Sequence, residues 1–207
     1  MTLHQEAMTP ASLPKMTYEE FLNWADEDTY AEWVDGEVVW MSPVSREHAR
    51  LTGFLLALIR HFVEAHQAGE VFSDPFQMKT GPDLPGRAPD ILFVATENLP
   101  RVKQNYLEGP GDLVVEIISP ESVTRDRQDK FGEYERGGVR QYWLLDPIRR
   151  QADFYERGED DGYRARPIGQ DGVYHSAVLE GLWLRVDWLW QRPLPPLLGV
   201  LREWGLV

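Results

Sequence analysis

Asp112-Leu113-Val114-Val115-Glu116-Ile117-Ile118-Ser119-Pro120 is an apolar run with a single glutamate in its middle. Side chains alternate across a strand, so Leu113, Val115 and Ile117 point one way while Val114, Glu116 and Ile118 point the other. Both faces are apolar, which predicts a central strand covered on both sides and built from the β-branched residues such strands favour. A carboxylate in that setting is costly unless a metal, a cation or hydrogen bonds meet it. Glu116 therefore needs a partner elsewhere in the chain.

Working outward, the upstream candidate is Asp90. The loop Gly81 to Pro89 carries three prolines and two glycines and delivers Pro89-Asp90 to a strand Ile91-Leu92-Phe93-Val94, where a proline at the start costs no ladder bond. A further stretch, Val71 to Met78, predicts a strand interrupted at Pro75. Downstream, a helix is predicted from about Arg125 to Arg136, ended by Gly137-Gly138, followed by the strand Gln141 to Asp146. A helix between two apolar runs reads as a crossover, so this last pair of strands is expected to be parallel.

The ends are read in the same way. Residues 1–14 form an expected flexible leader, interrupted by Thr9-Pro10 and Leu13-Pro14. Thr17-Tyr18-Glu19-Glu20 has the form of a capping box opening a short helix that buries Tyr18, Phe21, Leu22 and Trp24. Asp35-Gly36 joins two strands of a tight hairpin, and Ser45 N-caps a long helix through about Gln67 with His48 in its first turn and Leu51, Leu55, Leu58, Ile59 and Phe62 on its buried stripe. Beyond residue 148, short alternating segments separated by glycine and acidic turns predict antiparallel hairpins, with a partly helical end. The expected organisation is one domain over residues 15–207: an N-terminal helix and hairpin (15–44), a core (45–147) and a hairpin and C-terminal extension (148–207).

Composition narrows the chemistry. The chain has 207 residues and no cysteine, so a zinc–thiolate site, a disulfide framework and a thiol nucleophile are excluded, and any metal must take oxygen or imidazole ligands. A net charge of −13 argues against nonspecific coating of nucleic acid, although the least acidic segment, Val123 to Arg140, leaves room for a local basic groove. No apolar run approaches the roughly 18 residues a membrane span needs, and the start lacks a signal-peptide layout, so a cytoplasmic protein is expected. The eight tryptophans sit mostly at apolar-periodic positions and read as core.

If the strands of Asp90 and Glu116 lie side by side, the two carboxylates can share one hard divalent cation, with the Ile117 carbonyl completing the protein's share of the ligands. Lys130 shares a helix face with Arg127, Phe131 and Tyr134 and is a candidate to reach the same cleft. Structural roles compete for each residue. Asp90 can cap a loop, Glu116 can pair with an arginine, Lys130 can pair with Asp126 four residues earlier, Glu37 can be an ordinary hairpin acid, and His48 can be a surface or capping residue.

The order of these elements resembles the PD-(D/E)XK nuclease superfamily and, more closely, the Uma-type family of restriction-endonuclease-like proteins. The resemblance runs from Tyr18 to Trp190 and rests on Glu32-Trp33-Val34-Asp35-Gly36-Glu37, Met41-Ser42-Pro43, Ser45 through His48, Pro89-Asp90-Ile91, Val114 through Pro120, Asp126-Arg127 with Lys130, and Tyr142-Trp143-Leu144-Leu145-Asp146-Pro147. It implies an α/β (α+β) restriction-endonuclease-like mixed sheet flanked by helices, with antiparallel hairpin extensions. It also implies a catalytic set in which Asp90 and Glu116 bind Mg²⁺ or Mn²⁺, Lys130 stands near the attacking water, and Glu37 and His48 line the cleft. The superfamily's lysine two residues after the strand acid is replaced here by Ile118. The implied activity is metal-dependent endonucleolytic hydrolysis of DNA, with a homodimer addressing two strands. The competing readings are a catalytically silent nuclease-fold module that binds a protein partner, and a hydrolase of small phosphorylated compounds, which a narrow closed pocket would indicate.

Overall fold

The computed structural model describes residues 13–26, 28–119 and 124–207, so most of the expected leader and Pro120 lie outside the described residues. Thr17 opens helix α1 (Tyr18–Trp24): its hydroxyl accepts the Glu20 N–H at 3.2 Å while the Glu20 carboxylate accepts the Thr17 N–H at 2.7 Å, the expected capping box. Only Phe21 is buried on α1, and Trp24 remains 39% exposed, because one short helix has a single inward stripe. The hairpin follows as β1 (Ala31–Val34) and β2 (Glu37–Trp40), joined by Asp35 and Gly36 at φ 51° and 88°. Both turn residues adopt the left-handed backbone that the Asp-Gly pair favours.

Helix α2 (Arg46–His66) starts where the Ser45 hydroxyl accepts the His48 N–H at 3.1 Å, and buries the expected stripe. It ends at Gln67 in a left-handed conformation, and Gly69 (φ +149°) lets the chain pass so close to β-structure that a Cβ there would lie 2.0 Å from the Val94 carbonyl oxygen. The chain continues through β3 (Gly69–Ser73), β4 (Gln77–Lys79), β5 (Gly86–Arg87), β6 (Ile91–Ala95), β7 (Tyr106–Glu108) and β8 (Leu113–Ile117). A π turn over Arg125–Asp129, closed by the Lys130 N–H on the Arg125 carbonyl, leads into α3 (Lys130–Gly137). The rest is β9 (Gln141–Asp146), β10 (Gln151–Arg157), β11 (Tyr163–Ala165), β12 (Val173–His175), β13 (Trp183–Arg185) and α4 (Leu197–Glu203).

The main sheet has the order β11-β10-β9-β8-β6-β3, with β8 and β9 parallel and every other neighbour antiparallel. The quoted strand, β8, is central, and all five of its residues are buried. Its alternation is realised. Leu113, Val115 and Ile117 join one apolar cluster with α2, α4 and the C-terminal hairpin, whereas Val114 and Ile118 join a second with Tyr134 and Tyr142. The expected mixed sheet flanked by helices is therefore present. The strands β2-β1-β5-β4-β7 form a second sheet in place of the one expected mixed sheet. It arises because Pro75 breaks the stretch from Val71 to Met78, so that β3 stays in the main sheet while β4 pairs with β5 and β7 and places Met78 and Leu107 over the second face. Among the described residues no helix is long and apolar enough to cross a membrane.

Candidate active site

In the β6–β8 ladder Ile91 pairs with Val115, so the next step outward sets Asp90 opposite Glu116. By alternation both carboxylates fall on the face shared by Leu92, Val94, Val114 and Ile118. Both line a cleft of about 70 Å³ whose walls include Tyr30, Met41 to Val44, His48, Ala88, Ser119, Arg125, Asp126 and Lys130. The loop between β2 and α2 supplies one wall, the start of α2 supplies His48, and the π turn with α3 supplies the basic side.

Each acid is held by named donors. The Asp90 Oδ2 accepts the Ile117 N–H at 2.6 Å and lies 3.1 Å from His48 Nε2. The Glu116 Oε1 accepts Lys130 Nζ at 2.8 Å and the Tyr134 hydroxyl at 2.7 Å. Lys130 is 2% exposed and also lies 3.3 Å from Glu32 Oε1 and 3.6 Å from Asp126 Oδ1. It thus makes both contacts weighed for it from sequence, the cleft acid and Asp126. Ile118, standing where a strand lysine was looked for, is core at 1% exposure. Lys130 brings its ammonium to Glu116 from the helix instead.

The hairpin's contribution differs from expectation. The Glu37 side chain is 62% exposed, pairs with Lys15 at 3.1 Å and is not among the cleft residues. The glutamate that β1 sends inward is Glu32, 1% exposed, which accepts Arg87 Nη1 at 2.9 Å and the Ala88 N–H at 3.2 Å. Arg87 in turn grips Glu133 through Nε and Nη2, both at 2.7 Å. The signal for Glu32 was available, since it is a lone acid between Ala31 and Trp33-Val34, the same anomaly that singled out Glu116. Arg87 and Glu133 gave no such signal, because their meeting joins elements 46 residues apart. At the cleft mouth the Tyr30 hydroxyl donates to the Asp74 carboxylate.

These positions predict opposite outcomes for two glutamates of one hairpin. Glu37→Ala is expected to leave stability within about 0.5 kcal/mol of the parent, as for other surface sites. Glu32→Ala takes one carboxylate from Arg87, which keeps Glu133, and from Lys130, which keeps Glu116, and removes the acceptor of the buried Ala88 N–H, and is expected to cost about 1–3 kcal/mol in urea unfolding.

Electrostatics follow from an excess of carboxylates. Burial pushes the Glu116 carboxyl above the ordinary range, Lys130 opposes that, and Asp90 and Asp126 reinforce it. For Lys130, burial alone would lower the pKa, but Glu116, Glu32 and Asp126 outweigh it and hold the ammonium charged, above its ordinary value. For His48, burial acts downward and the bond to Asp90 wins, so its pKa is raised. For Glu32, burial acts upward and is overcome by Lys130 and Arg87, so it is lowered. Among the described residues there is no group of three or more His, Cys, Asp or Glu side chains arranged as a metal cage. The oxygen donors lining the cleft are the carboxylates of Asp90, Glu116 and Asp126, the hydroxyls of Tyr30, Ser42 and Ser119, and main chain.

Comparison with known proteins agrees with this architecture. The family model described as "Uma2: Putative restriction endonuclease" matches residues 18–187. Among curated proteins, the uncharacterized protein slr1290 of Synechocystis sp. is 25% identical over 152 residues, covering 72% of this chain and 78% of its own. A second protein of that organism, the uncharacterized sll1609, is 25% identical over 158 residues, covering 74% and 87%. Among solved structures, a putative nuclease belonging to DUF820 from Anabaena variabilis superposes with a TM-score of 0.70 at 18% identity, over 84% of this chain and 97% of that one, which establishes a shared fold. With the family model spanning both strand acids, the hairpin and the lysine-bearing helix, the chain belongs to the Uma2 family of putative restriction endonucleases.

Proposed function

We propose that the protein is a Mg²⁺- or Mn²⁺-dependent endonuclease that hydrolyses DNA phosphodiester bonds, with Asp90, Glu116 and the Ile117 carbonyl as the metal-binding set. The observation that carries this reading is the placement of Asp90 opposite Glu116 on one face of adjacent strands, in a cleft that also contains Lys130. The donor set fits such a cation. The Asp90 and Glu116 carboxylates with main-chain oxygen suit a hard ion that keeps several of its waters, and a divalent charge would offset the burial and the neighbouring acids that raise Glu116. Bound there, the ion supplies Lewis-acid polarisation of a phosphoryl oxygen and acidification of water.

The chain's own residues hold that arrangement. The Ile117 N–H and His48 fix the Asp90 carboxylate, and Lys130 with Tyr134 fixes that of Glu116. Because its pKa is raised, Lys130 acts as a charged donor and counter-charge and not as a general base at neutral pH. A homodimer would bring two such sites to two strands.

Incubating the purified protein with plasmid, linear and single-stranded DNA in Mg²⁺ or Mn²⁺ tests the reading. Cleavage that EDTA abolishes is the expected result. No cleavage of any form with either ion would contradict it and favour the silent, partner-binding module.

A further inference from the structure

The cleft contains three cationic side chains, His48, Arg125 and Lys130, and they are not equally committed. Lys130 is buried and directed at Glu116, Glu32 and Asp126. His48 is buried against Asp90. Arg125 differs from both. Its side chain is 34% exposed, its nearest carboxylate is Asp126 Oδ1 at 3.8 Å from Nε, too far for a hydrogen bond, and that Nε finds no acceptor among the described residues. The other arginines of this region are tied to carboxylates: Arg87 holds Glu32 and Glu133, and Arg127, although its Nε also lacks an acceptor, hydrogen-bonds Asp146 and Asp153 through its two terminal nitrogens.

The charge balance makes this asymmetry matter. A phosphodiester brings a further negative charge to a site already lined by Asp90, Glu116 and Asp126, with Glu32 behind them. One cation in the protein must face the incoming phosphate, and Lys130 and His48 are turned toward carboxylates. A guanidinium presents a planar fork of donors that matches two phosphate oxygens, and it does not lose its charge on desolvation. The π turn gives Arg125 its position, since its carbonyl takes the N–H of Lys130 and so ties it to the residue that reaches Glu116.

We propose that Arg125 is the phosphate-binding residue of the cleft, its guanidinium donating to the nonbridging oxygens of the phosphodiester being cut. The inference rests on the nuclease reading and adds a division of labour: Lys130 holds the acid Glu116, and Arg125 holds the substrate. Arg125→Gln and Arg125→Lys test it together, by cleavage of a short duplex oligonucleotide in Mg²⁺ across a salt series, with Mn²⁺ affinity measured by calorimetry and the melting temperature of each variant. Arg125→Gln is expected to lower kcat/KM by about 10²–10³-fold, the scale for losing one donor to a developing anion. It is also expected to make the log–log salt dependence shallower by about 1, the signature of one lost phosphate contact. Mn²⁺ affinity and melting temperature stay at the parent's values, and Arg125→Lys recovers the salt slope and part of the rate. Parent-like cleavage and salt slope in Arg125→Gln would overturn the proposal while leaving the nuclease reading standing. So would equal losses in both variants accompanied by a lower melting temperature, which would mark a structural role. A parent protein inert toward DNA would overturn both.

Discussion

Glu116→Gln is expected to lower DNA cleavage by at least ~10³-fold, about 4 kcal/mol of transition-state stabilisation, while the protein stays folded. The substitution keeps size and shape, and the amide oxygen can still accept the Tyr134 hydroxyl. Under the metal-site proposal it removes one of the two charged ligands, leaving Asp90 as the other, and no group of three or more His, Cys, Asp or Glu side chains forms an alternative cage among the described residues. Lys130 loses its 2.8 Å partner but keeps Glu32 and Asp126 within 4 Å, so no ammonium is left uncompensated. Loss of charge also relieves the repulsion from Asp90 and Asp126 that helps raise the Glu116 pKa. Activity should therefore fall far more than stability, and Asp90→Asn should behave likewise because the Ile117 N–H can still donate to the amide oxygen. Single-turnover cleavage beside thermal unfolding separates the two effects. Parent-like cleavage in both variants would mean that the site is elsewhere.

Arg87→Met is expected to produce the opposite pattern, a loss of the folded state before any question of catalysis arises. Arg87 is 4% exposed and ties β5 to α3 through a two-point grip on Glu133, and to β1 through Glu32. Without it two carboxylates remain in the interior, and Glu32 keeps only Lys130 and the Ala88 N–H. Breaking a buried pair from one side costs about 3–5 kcal/mol, a large part of the ~5–15 kcal/mol that holds a domain together. For a chain of this length that corresponds to a fall of roughly 6–20 °C in melting temperature. Arg87→Lys should rescue little, since an ammonium cannot reproduce the planar two-point contact. A melting temperature unchanged in Arg87→Met would show that the network is not structural.

Local chemistry carried most of what could be read in advance. The alternation of β8 identifies a doubly covered strand, and the Pro89-Asp90 entry puts a second acid at the start of β6, whose pairing with β8 is known only from the structure. Thr17, Asp35-Gly36 and Ser45 marked a cap, a turn and a cap because each works within a few residues of itself. The failures lie where geometry depends on distant chain. The direction in which β1 and β2 face the core decides between Glu32 and Glu37: Glu32 stands out as a lone acid among apolar residues, while the family motif draws attention to Glu37. The π turn that sets Arg125 and Asp126 beside Lys130 has no sequence signature separate from that of an α-helix. Division into two sheets follows from Pro75 only once the partners of β4 are known. The absence of a strand lysine is legible as Ile118, and the approach of Lys130 to Glu116 depends on a helix docking angle that spacing alone does not determine.

We propose above all that Asp90 and Glu116 jointly hold a divalent cation. Anomalous diffraction from crystals soaked in Mn²⁺ tests it most directly. A manganese peak bridging the Asp90 and Glu116 carboxylates, next to the Ile117 carbonyl and absent from Glu116→Gln crystals, is the predicted result. No peak in the cleft at saturating Mn²⁺, or a peak that survives in Glu116→Gln, would contradict it.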